Sequence, residues 1–180
     1  MKSAAAPAQA PHSYHTEIRA VGQEHVPYAL AILREVSQWL ADRGLRGWTE
    51  RDLRQTDLPS QSAAGCLILG FTHGKPVACM LLQNSDPLYW PRAARGSALY
   101  LHKLAVSRAH AGCGWGPRMI AWAKIETRRQ GIRRLRLDTW ADSALVELYE
   151  AHGFRRLNRV PHLESGSALC RMECRLQARW

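Results

Sequence analysis

At 180 residues the chain has the length of one ordinary domain, enough to bury a core without disulfides or a structural metal. Its 46% hydrophobic and 22% charged residues exclude a disordered chain, and no apolar run approaches the roughly 20 residues of a bilayer-crossing helix. Lys+Arg number 25 against 15 Asp+Glu, a net charge of +10 whose field attracts polyanions such as nucleic acid, an anionic membrane or a phosphorylated small molecule. The N-terminal MKSAAAPAQAPHS has no apolar core of a secretory signal, so residues 1–14 are expected as a flexible tail and 15–180 as a single domain. Five cysteines (Cys66, Cys79, Cys113, Cys170, Cys174) are odd in number and lie in hydrophobic runs, which points to a reducing cytoplasm. Cys170 and Cys174 have no second Cys or His pair at zinc spacing; they are expected to pack a strand, and no metal is expected.

In chain order, TEIRAV (16–21) reads as a strand. PYALAILREVSQWLADRG places Ala29, Ile32, Leu33, Val36 and Leu40 on one helical face, and Gly44 ends that helix. A shorter helix is expected over Glu50 to Arg54. The runs GCLILGF and PVACMLLQN form a hairpin about THGK, and the segment from Ser85 to Gly96, with Pro87 and Pro91, is a loop. SALYLHKLAV is a strand whose alternation sets Tyr100, His102, Leu104 and Val106 on one face. A loop with Gly112, Gly114 and Gly116 follows, then a helix from about Pro117 to Gly131 and the strand RRLRLDTW. Asp142 or Ser143 is expected to cap a helix with Leu145, Leu148, Tyr149 and His152 on one face, ended by Gly153. FRRLNRV and ALCRMECRL are the last strands. The order is that of an α/β (α+β) domain, a mixed sheet of about seven strands flanked by about four helices. The basic block RRQGIRRLRL (128–137) spans a helix end and a strand start and reads as a solvated surface.

A strand that passes through glycines into a helix N-terminus makes an anion site, because unpaired N–H groups converge there on the positive end of the helix dipole. The pattern Gly112-x-Gly114-x-Gly116 lacks the Gly-Lys-Ser/Thr of a Walker loop and the Gly-x-Gly-x-x-Gly of a dinucleotide fold, so by itself it fits a turn as well as a phosphate cradle. Its surroundings, LAVSRAHAGCGWGPRMI, resemble the pyrophosphate-binding segment of the GNAT superfamily of acyl-CoA-dependent N-acyltransferases. DSALVELYEAHGF (142–154) is similar to the family's Asn-x6-Tyr-x3-Gly-Phe helix, and the resemblance extends over roughly 16–176. It departs at Ala111, where the family usually carries Arg or Gln and where Arg108, His110 or Arg118 would have to substitute, and at Asp142, where Asn is common.

The resemblance implies acetyl-CoA as the cofactor, held by Leu104, Ala105, Val106, Ala111, Gly112, Cys113, Gly114, Trp115, Gly116 and Asp142. Backbone N–H groups near Leu104 to Val106 would polarise the thioester carbonyl. An alkylamine with a pKa of about 10.4 must lose a proton before it attacks. YLHKLAV is similar to the HxHxLAV strand of arylalkylamine N-acetyltransferases, which makes His102 the candidate base and leaves Tyr100 in place of the first His. The second motif implies that Tyr149 is the acid toward the departing thiolate. Cys113 offers a nucleophile for a ping-pong route, but its place in the loop favours direct attack within a ternary complex. The acceptor is expected between the first helical region and the loop before the histidine strand, where Trp39, Trp48, Asp86, Tyr89 and Trp90 combine an acid with aromatic walls suited to an amine cation. The expectation is an acetyl-CoA-dependent N-acetyltransferase of a small primary amine. Its alternatives are acetylation of a protein or an aminoacyl-tRNA, with nucleic acid docked on the basic surface, and a non-catalytic acyl-CoA or nucleic-acid binder. A homodimer is a further expectation; a membrane partner is not.

Overall fold

A computed structural model describes residues 16–162 and 165–177; the expected tail, 1–14, lies outside the described residues. The strands are β1 (Thr16–Ala20), β2 (Leu67–Thr72), β3 (Lys75–Gln83), β4 (Leu99–Val106), β5 (Arg134–Trp140), β6 (Arg155–Pro161) and β7 (Ala168–Arg175). The α-helices are α1 (Val26–Ala41), α2 (Glu50–Gln55), α3 (Leu58–Ala63), α4 (Trp115–Arg129) and α5 (Leu145–Ala151). One seven-stranded sheet runs in the order β1-β2-β3-β4-β5-β7-β6. Every pairing is antiparallel except β4 with β5, so the expected single α/β domain with its mixed sheet is present.

Alternation along β2 and β3 divides two cores. Ile68, Ala78 and Met80 meet Met119, Ile120 and Ala123 of α4 on one side of the sheet, together with Val146 and Tyr149 of α5. Leu67, Leu69, Phe71, Cys79 and Leu81 meet Ala29, Ile32 and Leu33 of α1 on the other. A satellite core of Trp90, Ala98 and Tyr100 lies under the long loop before β4.

The four anticipated helices are joined by α3, which has no counterpart in the sequence reading. Its signal is local. The Asp57 side chain accepts from the Ser60 N–H, and proline stands in the first turn. Helix α4 begins at Trp115, two residues before Pro117, because Gly114 takes the N-cap position with a left-handed φ of +78°. At α5 the capping expectation is corrected. The helix starts at Leu145 and neither Asp142 nor Ser143 is its N-cap residue, although the Leu145 N–H donates to Ser143 Oγ at 3.1 Å. Its buried positions are Val146 and Tyr149, so the face is turned by one residue and Leu145 is exposed.

The departure that matters most is in β4. Leu81 pairs with His102 and Cys79 with Ala105, so Met80 alone opposes both Lys103 and Leu104. Lys103 has a left-handed φ of +54°, the mark of a β-bulge. Tyr100 and His102 therefore face away from α4, whereas Leu104 and Val106 pack against the α4-side core. The four residues do not share a face, because the extra residue reverses the alternation between 102 and 104.

Candidate active site

Strands β4 and β5 pair only at Leu99↔Leu135 and Tyr100↔Arg136 and then part. From Leu101 to Val106 the β5-facing edge of β4 has no strand partner, which leaves backbone groups of a central strand open to a ligand. Beyond this opening lies the glycine loop. Gly112 and Gly114 both have φ of +78°, which side-chain-bearing residues rarely adopt. Among the described residues, the N–H groups of Gly112, Gly114, Trp115 and Gly116 have no hydrogen-bond acceptor. Four free donors at the positive end of a 15-residue helix suit a pyrophosphate, and a Cβ at Gly112, Gly114 or Gly116 would meet nothing within 4 Å.

The loop's side chains contribute less than its backbone. Trp115 is buried against β2, where a Cβ on Gly70 would come within 2.5 Å of its ring, so its indole is core and only its N–H faces the cradle. The exposed Cys113 thiol lies 3.9 Å from the Ala111 carbonyl. Of the residues that might replace the missing Arg or Gln at 111, Arg108 stacks 3.8 Å from the Trp39 ring centroid and His110 contacts Ser107 Oγ at 3.0 Å. Arg118, in the first turn of α4, is exposed and lies 5.6 Å over Trp115. Asp142 is exposed and faces Arg46 at 3.5 Å.

On the other side of β4, three elements bring His102 between two carboxylates. His102 Nε2 is 3.6 Å from Asp86 Oδ2 and Nδ1 is 3.9 Å from Asp138 Oδ1. Asp86 is fixed by its own turn, with Oδ1 accepting from the Leu88 and Tyr89 N–H groups at 3.1 and 3.0 Å. Asp86 Oδ2 and Asp138 Oδ1 are both buried and accept no hydrogen bond among the described residues. All three groups present ligand atoms within 4.8 Å of one another, but the carboxylates address opposite ring nitrogens, an arrangement that clamps an imidazole rather than converging on an ion. Burial pushes the Asp138 carboxyl above the usual carboxylate range, against the pull of His102. The bulge turns Lys103 to the same side, 5.3 Å over the Trp48 ring, and burial holds its amine below the ordinary lysine range against Asp52 and Asp138.

Tyr149 is buried beneath β5, edge-on to Phe154 at 5.6 Å. Burial first, and then the charge of Asp138, push its phenol above its ordinary value, so it is fully protonated at neutral pH. Of the aromatic walls, Trp48 stands beside Lys103, but Trp39 is sandwiched by Arg43 and Arg108. Trp90 belongs to the satellite core, with the guanidinium carbons of Arg136 and Arg171 at 4.5 and 5.0 Å from its ring centroid. Trp140 and His162, 4.9 Å apart, were not singled out in the sequence. Neither was Asp138, although it is the one acid among Arg134, Arg136 and Trp140 on its face of β5.

Residues 32–154 match the Acetyltransferase (GNAT) family, and the chain belongs to it. It is an acetyltransferase of that family. Over 133 residues it is 32% identical to the uncharacterized N-acetyltransferase YesJ of Bacillus subtilis, covering 68% of this chain and 72% of YesJ. A GNAT-family acetyltransferase of Listeria monocytogenes shares the fold with a TM-score of 0.70 at 20% identity, over 89% of this chain and 98% of the other. The PaiA N-acetyltransferase of Thermoplasma acidophilum, solved in complex with coenzyme A, aligns with a TM-score of 0.67 at 14% identity, over 89% and 98%.

Proposed function

We propose that this acetyltransferase moves the acetyl group of acetyl-CoA to a primary amine of a small molecule by direct attack within a ternary complex. The observation that carries the reading is the division of β4 at its bulge. Before Lys103 the strand presents His102 between two carboxylates, and after it the strand opens toward four unpaired amides. Coenzyme A is a polyanion, and the free N–H groups at the start of α4 match its pyrophosphate. The acidic pair attracts an amine in its ammonium form, with Trp48 and Trp140 near the same side.

In this reading His102 accepts the ammonium proton and Asp86 and Asp138 hold the imidazolium that results. The amine nitrogen forms a bond to the thioester carbon, the carbonyl is polarised by the unpaired edge of β4, and the C–S bond breaks. The leaving sulfur takes its proton from the Tyr149 phenol, which is restored by the second proton, the one the nitrogen loses as the amide forms, while the first passes from His102 to solvent. The product pair is an acetamide and free CoA. Leu104, Ala105 and Val106 contribute backbone, and Asp142 holds the turn beyond β5 through Arg46.

The test is calorimetry with acetyl-CoA followed by turnover on a panel of amines. Micromolar binding is expected, with His102→Ala lowering kcat/KM by about 10²- to 10⁴-fold while acetyl-CoA affinity stays within a factor of two. Turnover unchanged in both His102→Ala and Tyr149→Phe would remove these roles.

A further inference from the structure

The basic block at the α4–β5 turn is not used by this chemistry, and it does not lie near it. Arg133 and Arg134 of the turn, Arg175 at the end of β7, Ser97 and Leu176 line a cleft of about 390 Å³. The cleft opens at the N-terminal ends of β4 and β5, whereas the glycine loop follows the C-terminal end of β4. Eight residues of strand at about 3.3 Å each separate the two by about 25 Å.

One carboxylate serves this whole cluster. Glu173 is buried and accepts from Arg136 Nε at 2.9 Å and Arg175 Nε at 3.0 Å, with Arg134 at 4.0 Å. Arg133 has no side-chain hydrogen bond or ion pair among the described residues, and it is exposed, as are Arg134 and Arg175. Three guanidinium groups thus face a concave surface with their charge mostly uncompensated, and guanidinium forks match phosphate oxygens bidentately. Leu176, the one apolar lining residue, is buried, so the cleft lacks the apolar anchor at which an acidic protein would dock. No aromatic ring lines it to stack a base, which disfavours a free nucleotide. What fits is a run of phosphates recognised by charge alone.

We infer that the arginine cleft between the α4–β5 turn and the end of β7 docks the phosphate backbone of a nucleic acid. Binding there is independent of base sequence and does not occlude the acetyl-CoA loop.

The experiment is fluorescence anisotropy of a labelled 20-nucleotide single-stranded RNA, and of a DNA of the same sequence, with protein saturated by acetyl-CoA. Three phosphate contacts give a log–log salt slope of about −2, so affinity falls about 20-fold between 50 and 200 mM salt. The double variant Arg133→Gln/Arg175→Gln is expected to lose about tenfold in affinity and most of that slope, with acetyl-CoA binding preserved; the single variant Arg133→Gln, whose side chain has no partner among the described residues, loses about one third of the slope at an unchanged melting temperature. The control Arg19→Gln/Arg54→Gln, on β1 and α2, removes the same charge elsewhere on the surface. Equal weakening by both pairs would overturn the proposal in favour of the general field of the +10 molecule. Binding of poly-glutamate as tight as that of RNA would overturn it in favour of an acidic protein partner.

Discussion

His102 was marked out by the resemblance of its strand and Asp86 as an acid of the acceptor region, but Asp138, and the placing of both acids about one imidazole, were not legible. Asp86 and Asp138 come from a loop and from a parallel neighbour strand, and nothing in linear spacing brings them to opposite nitrogens of one imidazole. The glycine loop and Tyr149 were marked out by the resemblance of their segments, since their spacing alone fits a turn and a packed core aromatic as well. Asp138 carries a measurable consequence. Its folded value is raised by burial, so its contribution favours the fold fully below the unfolded carboxylate range and is lost as pH rises through the folded value. At neutral pH the fold therefore tolerates a buried carboxylate at the expense of stability. Asp138→Asn is expected to raise the melting temperature at pH 7, with the gain vanishing toward pH 3.5, while kcat/KM at pH 7 falls at least tenfold. Thermal unfolding at the two pH values, together with initial rates, checks both halves.

At the scale of elements, all seven strands and four of the five described α-helices could be read from the sequence. The reading failed where a tertiary contact overrides period. The bulge at Lys103 is set by the opposing strand, and the face of α5 is chosen by what lies beneath it. The same dependence makes α4 vulnerable from β2. Gly70 leaves room for the Trp115 ring, which anchors the first turn of α4 and with it the amide cradle. A methyl group at Gly70 must displace a rigid buried indole. Gly70→Ala is expected to cost about 1–3 kcal/mol in stability and to weaken acetyl-CoA binding several-fold, measured by urea unfolding and calorimetry. Retention of wild-type affinity by a destabilised Gly70→Ala protein would uncouple the cradle from this anchor.

Over the whole molecule the composition indicated a single basic domain but not where the charge gathers, because the arginines of 128–136 meet Arg171, Arg175 and Glu173 only once β7 is laid beside β5. Burial works against ionisation of Glu173, yet hydrogen bonds from Arg175 and Arg136 hold its carboxyl below the usual range. Its contribution is present above the unfolded value near 4.3 and is lost as pH falls through the lower folded one. Glu173→Gln is expected to lose about 1.5–3 kcal/mol at pH 7, a difference that shrinks below pH 4, as urea titrations at pH 7 and 3.5 will read. The bulge in β4 has a larger consequence for how such a protein is built. If its two sides serve donor and acceptor, the reacting partners are spaced by a pair of peptide units of one strand, not by a hinge that must close. Alignment of the reactants is then inherited from folding, and diversity in what is acetylated falls to the surrounding segments, which can change without disturbing the spacing.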